Sequence, residues 1–504
     1  MGDSASSRHT SAFSDLGVRR TIDALLTEIR TLYLADNFPW VVGYSGGKDS
    51  TATLQLVWIA LASLDPAQRT KPVHVISTDT LVENPIVAAW VEKSLTTMRA
   101  AASGAGLPIR PHRLTPDVED TFWVNLIGKG YPAPRVKFRW CTERMKIKPS
   151  NAFINRIASE SGEAILVLGT RKAESQVRAR SMGKLEKLRV RDKLSPNSNL
   201  PNSLVYSPIE TWSNDDVWVF LNQVKNPWGY NNKDLLTMYQ GASPDGECPL
   251  VVDSSTPSCG DSRFGCWVCT MVEQDKSMAA MITNDAEKEW MLPLLELRNE
   301  LDVINDRDQR DFRRITGRLQ VFHGQLLHGP YKQSAREHWL RRLLQVQRHV
   351  RERGPKNMRD LALITLPELA QIRRLWVVDK HEIEDSLPRI YEEALGEPYP
   401  GPTLDEAPVF SAEDMAILRE TCEGDPLGFE LARELLDVEQ EHRSMARRAG
   451  LYKALEDAIE RSFFVDEADA EAWALRHQAD RDEIQKAREE ERPVRQLPLI
   501  QATR

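Results

Sequence analysis

The side chains best able to do chemistry gather first in a six-residue run, Ser45-Gly46-Gly47-Lys48-Asp49-Ser50. Two glycines let backbone N–H groups come close to an anion, and Ser45, Ser50 and Lys48 add further donors. The run follows the apolar stretch Trp40 to Tyr44 and precedes Leu54, Val57, Trp58, Leu61 and Leu64, three or four apart. It therefore sits between a strand and the positive end of a helix, an arrangement that grips phosphate. A Walker A loop is excluded, because the spacer before its Gly-Lys pair is missing. Asp49 either caps and orients the loop or meets a magnesium ion. Asp79, at the tip of a later strand, binds adenosine or a metal, or caps its own turn.

A second chemistry belongs to sulfur. Cys248, Cys259, Cys266 and Cys269 crowd into one short segment, the last two as Cys-x-x-Cys. Four thiolates close around one tetrahedral metal or hold four corners of an iron–sulfur cube. Zinc prefers two paired knuckles, and the gap from Cys248 to Cys259 is long for that, so a 4Fe-4S cluster is the expectation, with zinc behind it. A redox pair at Cys266 and Cys269 leaves two thiols unexplained; buried structural thiols are the plain alternative. Cys141 stands among Arg135, Lys137, Arg139, Arg144 and Lys146. Those cations are expected to lower its pKa and favour thiolate, suiting a persulfide carrier. Cluster ligand and inert core thiol stay open for it. Cys422, in a polar helical context, is expected to be a bystander.

Several elements must position these groups. Helical spacing over Thr21 to Leu34 leads into the first strand at Trp40. Strands follow at Val73 to Ser77, Ile109 to Leu114 and Ala164 to Gly169, with a helix over Pro85 to Ala101. Strands alternating with helices predict an α/β fold, a parallel sheet with helices on both faces. Ligands then sit beyond the carboxyl ends of the strands, where the loop, Asp79 and Gly169 fall. Ser213 is the expected N-cap of a helix through Trp218. The stretch 171–193 carries nine Lys/Arg against three acids, and 195–203, rich in Asn, Ser and Pro, reads as a mobile loop. Together they are expected to order as a lid over a phosphate backbone. The stretch 332–359, nine Lys/Arg against two acids, also carries an apolar face of Trp339, Leu340, Leu343, Leu344 and Val350. DNA contact and a solvated helix face are equal readings of it.

A chain of 504 residues is too long for one core. The expected division is a disordered tail over 1–16, a nucleotide-binding domain over 17–240, a Cys-rich cluster segment over 241–285 and a mainly helical C-terminal region over 286–504. The net charge of −8 gives no global signal for nucleic acid, so any such site is a local patch. No apolar run is long enough to span a membrane. Six cysteines in so long a chain do not make a disulfide framework, and a cytoplasmic location is expected.

The six-residue run matches the SGGxDS loop of the ATP pyrophosphatases, the PP-loop superfamily. Further matches are Asp79-Thr80; Cys141-Thr142 followed by Lys146 and Pro149; Gly169-x-Arg171-x-x-Glu174-Ser175-x-x-Arg178; and Pro208-Ile209-x-x-Trp212-x-x-x-Asp216-Val217-Trp218. In this order they resemble the phosphoadenosine phosphosulfate reductase family over roughly residues 20 to 225. The resemblance implies an adenine nucleotide alpha hydrolase-like sheet that binds ATP with Mg2+. Lys48 and Arg171 would then neutralise phosphate charge, and Lys137, Arg139, Lys146, Glu174, Arg178 and Arg180 would meet the substrate. Cluster-bearing relatives draw ligands from both regions, so Cys141 can replace Cys248.

The segment 247–271 also resembles the cysteine region of the DndC family of DNA phosphorothioation proteins. That implies replacement of a non-bridging DNA phosphate oxygen by sulfur, with a cysteine desulfurase as sulfur donor and other Dnd proteins as partners. Rival readings are a reductase of adenylyl sulfates, a tRNA thiolase and a catalytically idle DNA-binding scaffold. Adenylyl sulfate reductases depart from SGGxDS and commonly end in Glu-Cys-Gly, where this chain has only Thr421-Cys422-Glu423-Gly424.

Overall fold

The computed structural model describes residues 11–197, 200–243, 264–380, 382, 384–404, 412–443, 448, 450–462 and 464–490. The chain divides into two compact units. The first comprises Met1–Phe122, Ala133–Asp302 and Leu343–Thr365; the second comprises Trp123–Pro132, Val303–Arg342 and Leu366–Arg504.

In the first unit, α1 (Gly17–Leu34) leads into β1 (Trp40–Gly43), α2 (Lys48–Ala62), β2 (Val73–Thr78), α3 (Pro85–Gly104) and β3 (Ile109–Leu114). Then come α4 (Lys148–Ser161), β4 (Ala164–Val167), α5 (Gln176–Glu186), β5 (Ser195–Pro196), β6 (Ser203–Tyr206), α6 (Asn214–Gln223), α7 (Asn232–Gly241), α8 (Lys276–Asn284) and α9 (Leu292–Leu301). The strands form one sheet in the order β3-β2-β1-β4-β6-β5. All pairings are parallel except the last, where Ser195 lies opposite Val205. From β1 the chain winds outward to β2 and β3, and β4 pairs on the other side of β1. The crevice beyond the carboxyl ends of β1 and β4 is thus the switch point where α/β sheets bind ligands.

Strand period decides which side chain packs where. Trp40 and Val42 join the larger core with Leu54, Trp58, Trp212, Trp218 and Trp228, while Val41 faces the smaller core of Phe153, Ile154, Ile157 and Leu166. Nearly every residue of α2 from Ser50 to Leu61 is buried. Its buried Gln55 is satisfied by the Asn232 amide oxygen at 2.7 Å. Ser213 caps α6 as expected: its hydroxyl accepts from Asp216 N at 3.1 Å and the Asp216 carboxylate accepts from Ser213 N at 2.8 Å.

Two expectations are corrected. The stretch 195–203 is not simply a loop: β5 pairs with β6 there, and Leu200 is buried. The turn residues masked a short edge strand whose partner, β6, gives too brief a signal to read alone. In the expected tail, residues 1–10 lie outside the described residues, but Ser11 and Ala12 both donate to Asp216, and Phe13 packs on Trp212 at 5.3 Å.

The sheet carries a histidine pair, His74 buried and His112 half-buried. His74 Nδ1 lies 3.0 Å from His112 Nε2, and burial first, then His112, pushes His74 down to about 4. A folded-state pKa below the usual value of about 6.5 means that the unfolded chain takes up protons the folded one refuses. The sign follows: the protein keeps full stability above about pH 6.5 and loses it as pH falls toward 4, by up to ~3 kcal/mol from His74. Urea unfolding across this window should show that slope, and His74→Gln should flatten it.

The second unit is mainly helical. After a two-strand hairpin, β7 (Val321–Phe322) and β8 (Gln325–Leu326), it takes the first turns of α10 (Gln333–Arg353). It then adds α11 (Leu366–Arg374), α12 (Ser386–Leu395), α13 (Ala412–Thr421), α14 (Pro426–Arg443), α15 (Leu451–Ser462) and α16 (Glu467–Glu490). The segment Val124–Gly128 belongs to it, with Trp376 Nε1 donating to Ile127 O at 2.9 Å. The apolar stripe of α10, Trp339, Leu340, Leu343, Leu344 and Val350, is buried. Arg336, which the sequence grouped with a basic face, is buried in an ion pair with Glu382. Among the described residues no helix is long and apolar enough to cross a membrane.

Candidate functional site

The glycine loop takes its shape from three neighbours. Gly46 has φ +76°, and a Cβ there would lie 2.5 Å from Val91 Cγ2. Trp90 Nε1 donates to Gly46 O at 3.3 Å. The phenol of Tyr239 accepts from Lys48 N at 3.3 Å. Within the loop, Ser45 N donates to Ser50 Oγ at 3.2 Å and the Ser50 hydroxyl donates to Gly47 O at 3.0 Å.

Asp49 is not the helix cap; that position is Gly47, with no side-chain cap. Instead Asp49 bridges two cations. Its Oδ1 accepts from Arg171 Nε at 2.7 Å and its Oδ2 pairs with Lys48 Nζ at 3.2 Å. Arg171 is only 4% exposed, and its Nη1 also reaches Trp212 O at 3.3 Å. Glu174 accepts from Arg171 N at 2.9 Å and pairs with Arg178 at 3.1 Å. Gly169 lets the end of β4 meet the start of α2, since a Cβ there would lie 2.7 Å from Asp49 O and 2.9 Å from Thr53 Oγ1. Backbone cannot yield as a flexible side chain does. Gly169→Ala should therefore destabilise the first unit by about 1–3 kcal/mol, read as a shifted urea midpoint.

A cavity of about 830 Å³ opens in front of the loop. Ser45, Gly47, Asp49, Ser50, Asp79 and Gly169 line it, while Gly46, Lys48 and Arg171 do not. Its volume suits a nucleotide. Asp79 both caps its turn, accepting from Leu81 N at 2.7 Å, and pairs with Arg113. Lys146, Glu83 and the Met182, Leu185 and Glu186 side of α5 complete the lining.

The other expected substrate residues lie outside the lining. Lys137 and Arg139 are exposed around a tight turn closed by Phe138 N donating to Arg135 O at 2.8 Å. Arg178 and Arg180 are exposed on α5. Most cations of 171–193 have structural partners: Lys172 with Glu186, Arg189 with Glu210, Arg191 with Asp36 and Glu163, and Lys193 with Glu28. These pairs fasten the stretch expected to form a lid. Arg180, Lys184 and Lys187 make no ion pair among the described residues.

Three thiols converge beside the cavity. The segment after Gly265 adds to the Val82–Asn84 backbone, with Asn84 N donating to Gly265 O at 3.2 Å and Trp267 N donating to Val82 O at 2.9 Å. Cys269 N donates to Cys266 O at 3.1 Å, closing the Cys-x-x-Cys turn over buried Trp267 and Val268. The Cys266 thiol lies 3.3 Å from Thr80 Oγ1 and 3.7 Å from Glu83 Oε1, which also pairs with Lys146 at 3.4 Å. Burial, with Glu83 adding, pushes Cys266 up to about 12. Cys266 first, then Glu83, raises Lys146 against partial desolvation of its half-exposed side chain.

Cys141, just before a π-helical turn at Thr142–Ile147, feels both Cys269 and Lys146. Its pKa is raised, correcting the expectation of a lowered one. Burial dominates, Lys146 pulls down by less, and Arg144 is engaged by Asp120 at 2.9 Å.

Cys248 and Cys259 lie outside the described residues. Among the described residues no three Cys, His, Asp or Glu side chains stand as a ligand set. Cys141, Cys266 and Cys269 have the donor chemistry of a thiolate-bound cluster, and Lys146 supplies a compensating charge beside them.

Sequence reasoning missed Tyr239, Trp90, Glu83 and Arg113. Tyr239 is 191 residues from the lysine whose backbone it holds, and nothing local marks it.

Residues 39–271 match the family model of the phosphoadenosine phosphosulfate reductase domain. The mostly parallel six-stranded sheet with its helices is the α/β fold of that domain. An uncharacterised protein of Methanocaldococcus jannaschii is 28% identical over 245 residues, 49% of this chain. The match spans 39% of that relative's length. Among solved structures, a phosphoadenylyl-sulfate reductase from Candida auris in complex with phosphate aligns at 15% identity and a TM-score of 0.25, covering 43% of this chain and 90% of its own. A U34-tRNA thiolase from Methanococcus maripaludis with its [4Fe-4S] cluster aligns at 13% identity and 0.28, covering 57% and 82%.

Proposed function

We propose that the protein is an ATP-dependent sulfurtransferase that modifies the DNA backbone. One observation carries the sulfur-transfer reading: a single cavity is lined by Ser45, Gly47, Asp49 and Ser50 of the loop and also by Glu83, which lies 3.7 Å from the Cys266 thiol, and Lys146, which pairs with Glu83. Nucleotide activation and sulfur delivery thus share one space. DNA as the acceptor is supported by the resemblance of 247–271 and by exposed Lys137, Arg139, Arg178 and Arg180.

A non-bridging phosphate oxygen attacks the α-phosphorus of ATP, which enters as its magnesium complex. The bond to the β-phosphate breaks and pyrophosphate leaves. Backbone N–H groups of the loop and the Ser45 and Ser50 hydroxyls hold the departing phosphates, while Arg171 and Lys48 fix Asp49 and the helix start. The activated oxygen then leaves with AMP when the terminal sulfur of a Cys141 persulfide attacks the backbone phosphorus. A thiol reductant cleaves the resulting S–S bond, leaving the phosphorothioate and a mixed disulfide that a second thiol reduces. A cysteine desulfurase reloads Cys141, and other Dnd proteins would complete the assembly. A cluster held by Cys248, Cys259, Cys266 and Cys269, with Cys141 as alternate ligand, would supply thiolate-bound iron with affinity for sulfide.

The test is ATP turnover with radiolabelled cysteine sulfur and a desulfurase, offering DNA and tRNA in parallel. The reading expects acceptor-dependent pyrophosphate release and label in DNA. Label in tRNA alone would replace the acceptor, and binding of ATP without pyrophosphate release would leave a scaffold.

A further inference from the structure

The second unit holds a cavity of its own, about 520 Å³, built without any part of the nucleotide loop. Seven basic and five acidic side chains line it. The pairing is uneven. Arg313 is held by Asp311 and Glu430, Arg336 by Glu382, and Arg461 by Glu434. Arg314, Lys332 and Lys380 are left without a carboxylate bonded to them among the described residues. Arg314 Nη1 donates to His328 O at 2.9 Å and Lys332 Nζ to Asp308 O at 3.2 Å, both neutral carbonyls. The Lys380 ammonium makes no hydrogen bond or ion pair among the described residues. Asp379 also lines the cavity, and with Glu382 and Asp311 it acts on Lys380 only from a distance.

We propose that this cavity is a phosphate-binding site, closing Arg314, Lys332 and Lys380 around the phosphate of a nucleotide or of a nucleic-acid backbone. Cations gathered in one concavity repel each other until an anion joins them, and three separate donors match the several oxygens of a phosphate. Burial first, then Arg336, pushes Lys380 down to about 8, against the pull of Glu382, Asp311 and Asp379. The volume leaves room for the group that carries the phosphate. The site is independent of the sulfurtransferase reading, because the second unit supplies every residue.

The test uses the full chain with Ser45→Ala, Lys48→Ala and Asp49→Ala, which disables the first site, and titrates inorganic phosphate by calorimetry. One site should remain, and Lys380→Gln or Arg314→Gln should each weaken it at least about tenfold. Lys380→Arg should retain it. AMP and a short DNA duplex then separate the sources, the tighter of them being the carrier. Circular dichroism checks folding; where Lys380→Gln unfolds, Lys332→Gln serves in its place. No phosphate bound to the loop-disabled chain, or binding indifferent to all three glutamine changes, would overturn the proposal and leave the sulfurtransferase reading untouched.

Discussion

Asp49→Ala should lower acceptor-dependent pyrophosphate release by ~10²- to 10³-fold, with most of the loss in kcat. The carboxylate is the shared anion of two cations, Lys48 at 3.2 Å and Arg171 at 2.7 Å. Removing it leaves the Arg171 guanidinium buried without its partner, where an unpaired charge costs several kcal/mol unless something moves. The movement available to it disorders the start of α2, and with it the backbone N–H groups that hold phosphate. Asp49→Asn keeps an acceptor for Arg171 Nε and should recover much of the loop geometry without the charge. Pyrophosphate release by Asp49→Ala within about threefold of the parent protein would mean that the bridge is structural and that another group carries the chemistry.

The loop was legible because its types, order and flanks agree: apolar strand, two glycines, hydroxyls and a helical run each needed only neighbouring residues to be read. The partners of the loop were not legible in the same way. Arg171 was found only because a family motif marks it, and its bond to Asp49 crosses 122 positions. Tyr239 has no motif at all, yet its phenol holds Lys48 N, and burial raises its pKa so that it remains a neutral phenol. Cys141 shows a different failure. Five cations nearby in sequence suggested a lowered pKa, but exposure and pairing decide whether a charge acts. Lys137 and Arg139 are exposed, Arg144 serves Asp120, and burial of the thiol outweighs Lys146. The edge strand at Ser195–Pro196 was lost for a third reason: two residues carry no periodicity, so only the partner strand defines them.

The second large effect belongs to the helical unit, where Arg336→Ala should cost about 3–5 kcal/mol. Both partners of the Arg336–Glu382 pair are 4% exposed along their side chains. The pairing is two-pronged, with Arg336 Nη1 donating to Glu382 Oε2 at 3.1 Å and Nη2 reaching Oε1. Arg336 Nε also donates to Tyr331 O at 3.1 Å, and the guanidinium lies 5.4 Å from the Trp376 ring centre. Truncation to alanine strands the Glu382 carboxylate in a site with little water, removes the bond to Tyr331 O and takes away the packing over Trp376. Such a loss exceeds that of an exposed pair, such as Arg348 with Glu352, whose charges solvent screens. Because the chain has two units, urea unfolding should resolve the change as an earlier transition of the helical one, followed by the near-ultraviolet signal of Trp376. The double change Arg336→Met with Glu382→Leu removes both charges at once and should recover most of the loss. If Arg336→Ala alone leaves the transition unmoved, Lys380 has taken over the carboxylate, and the double change should then be the less stable of the two.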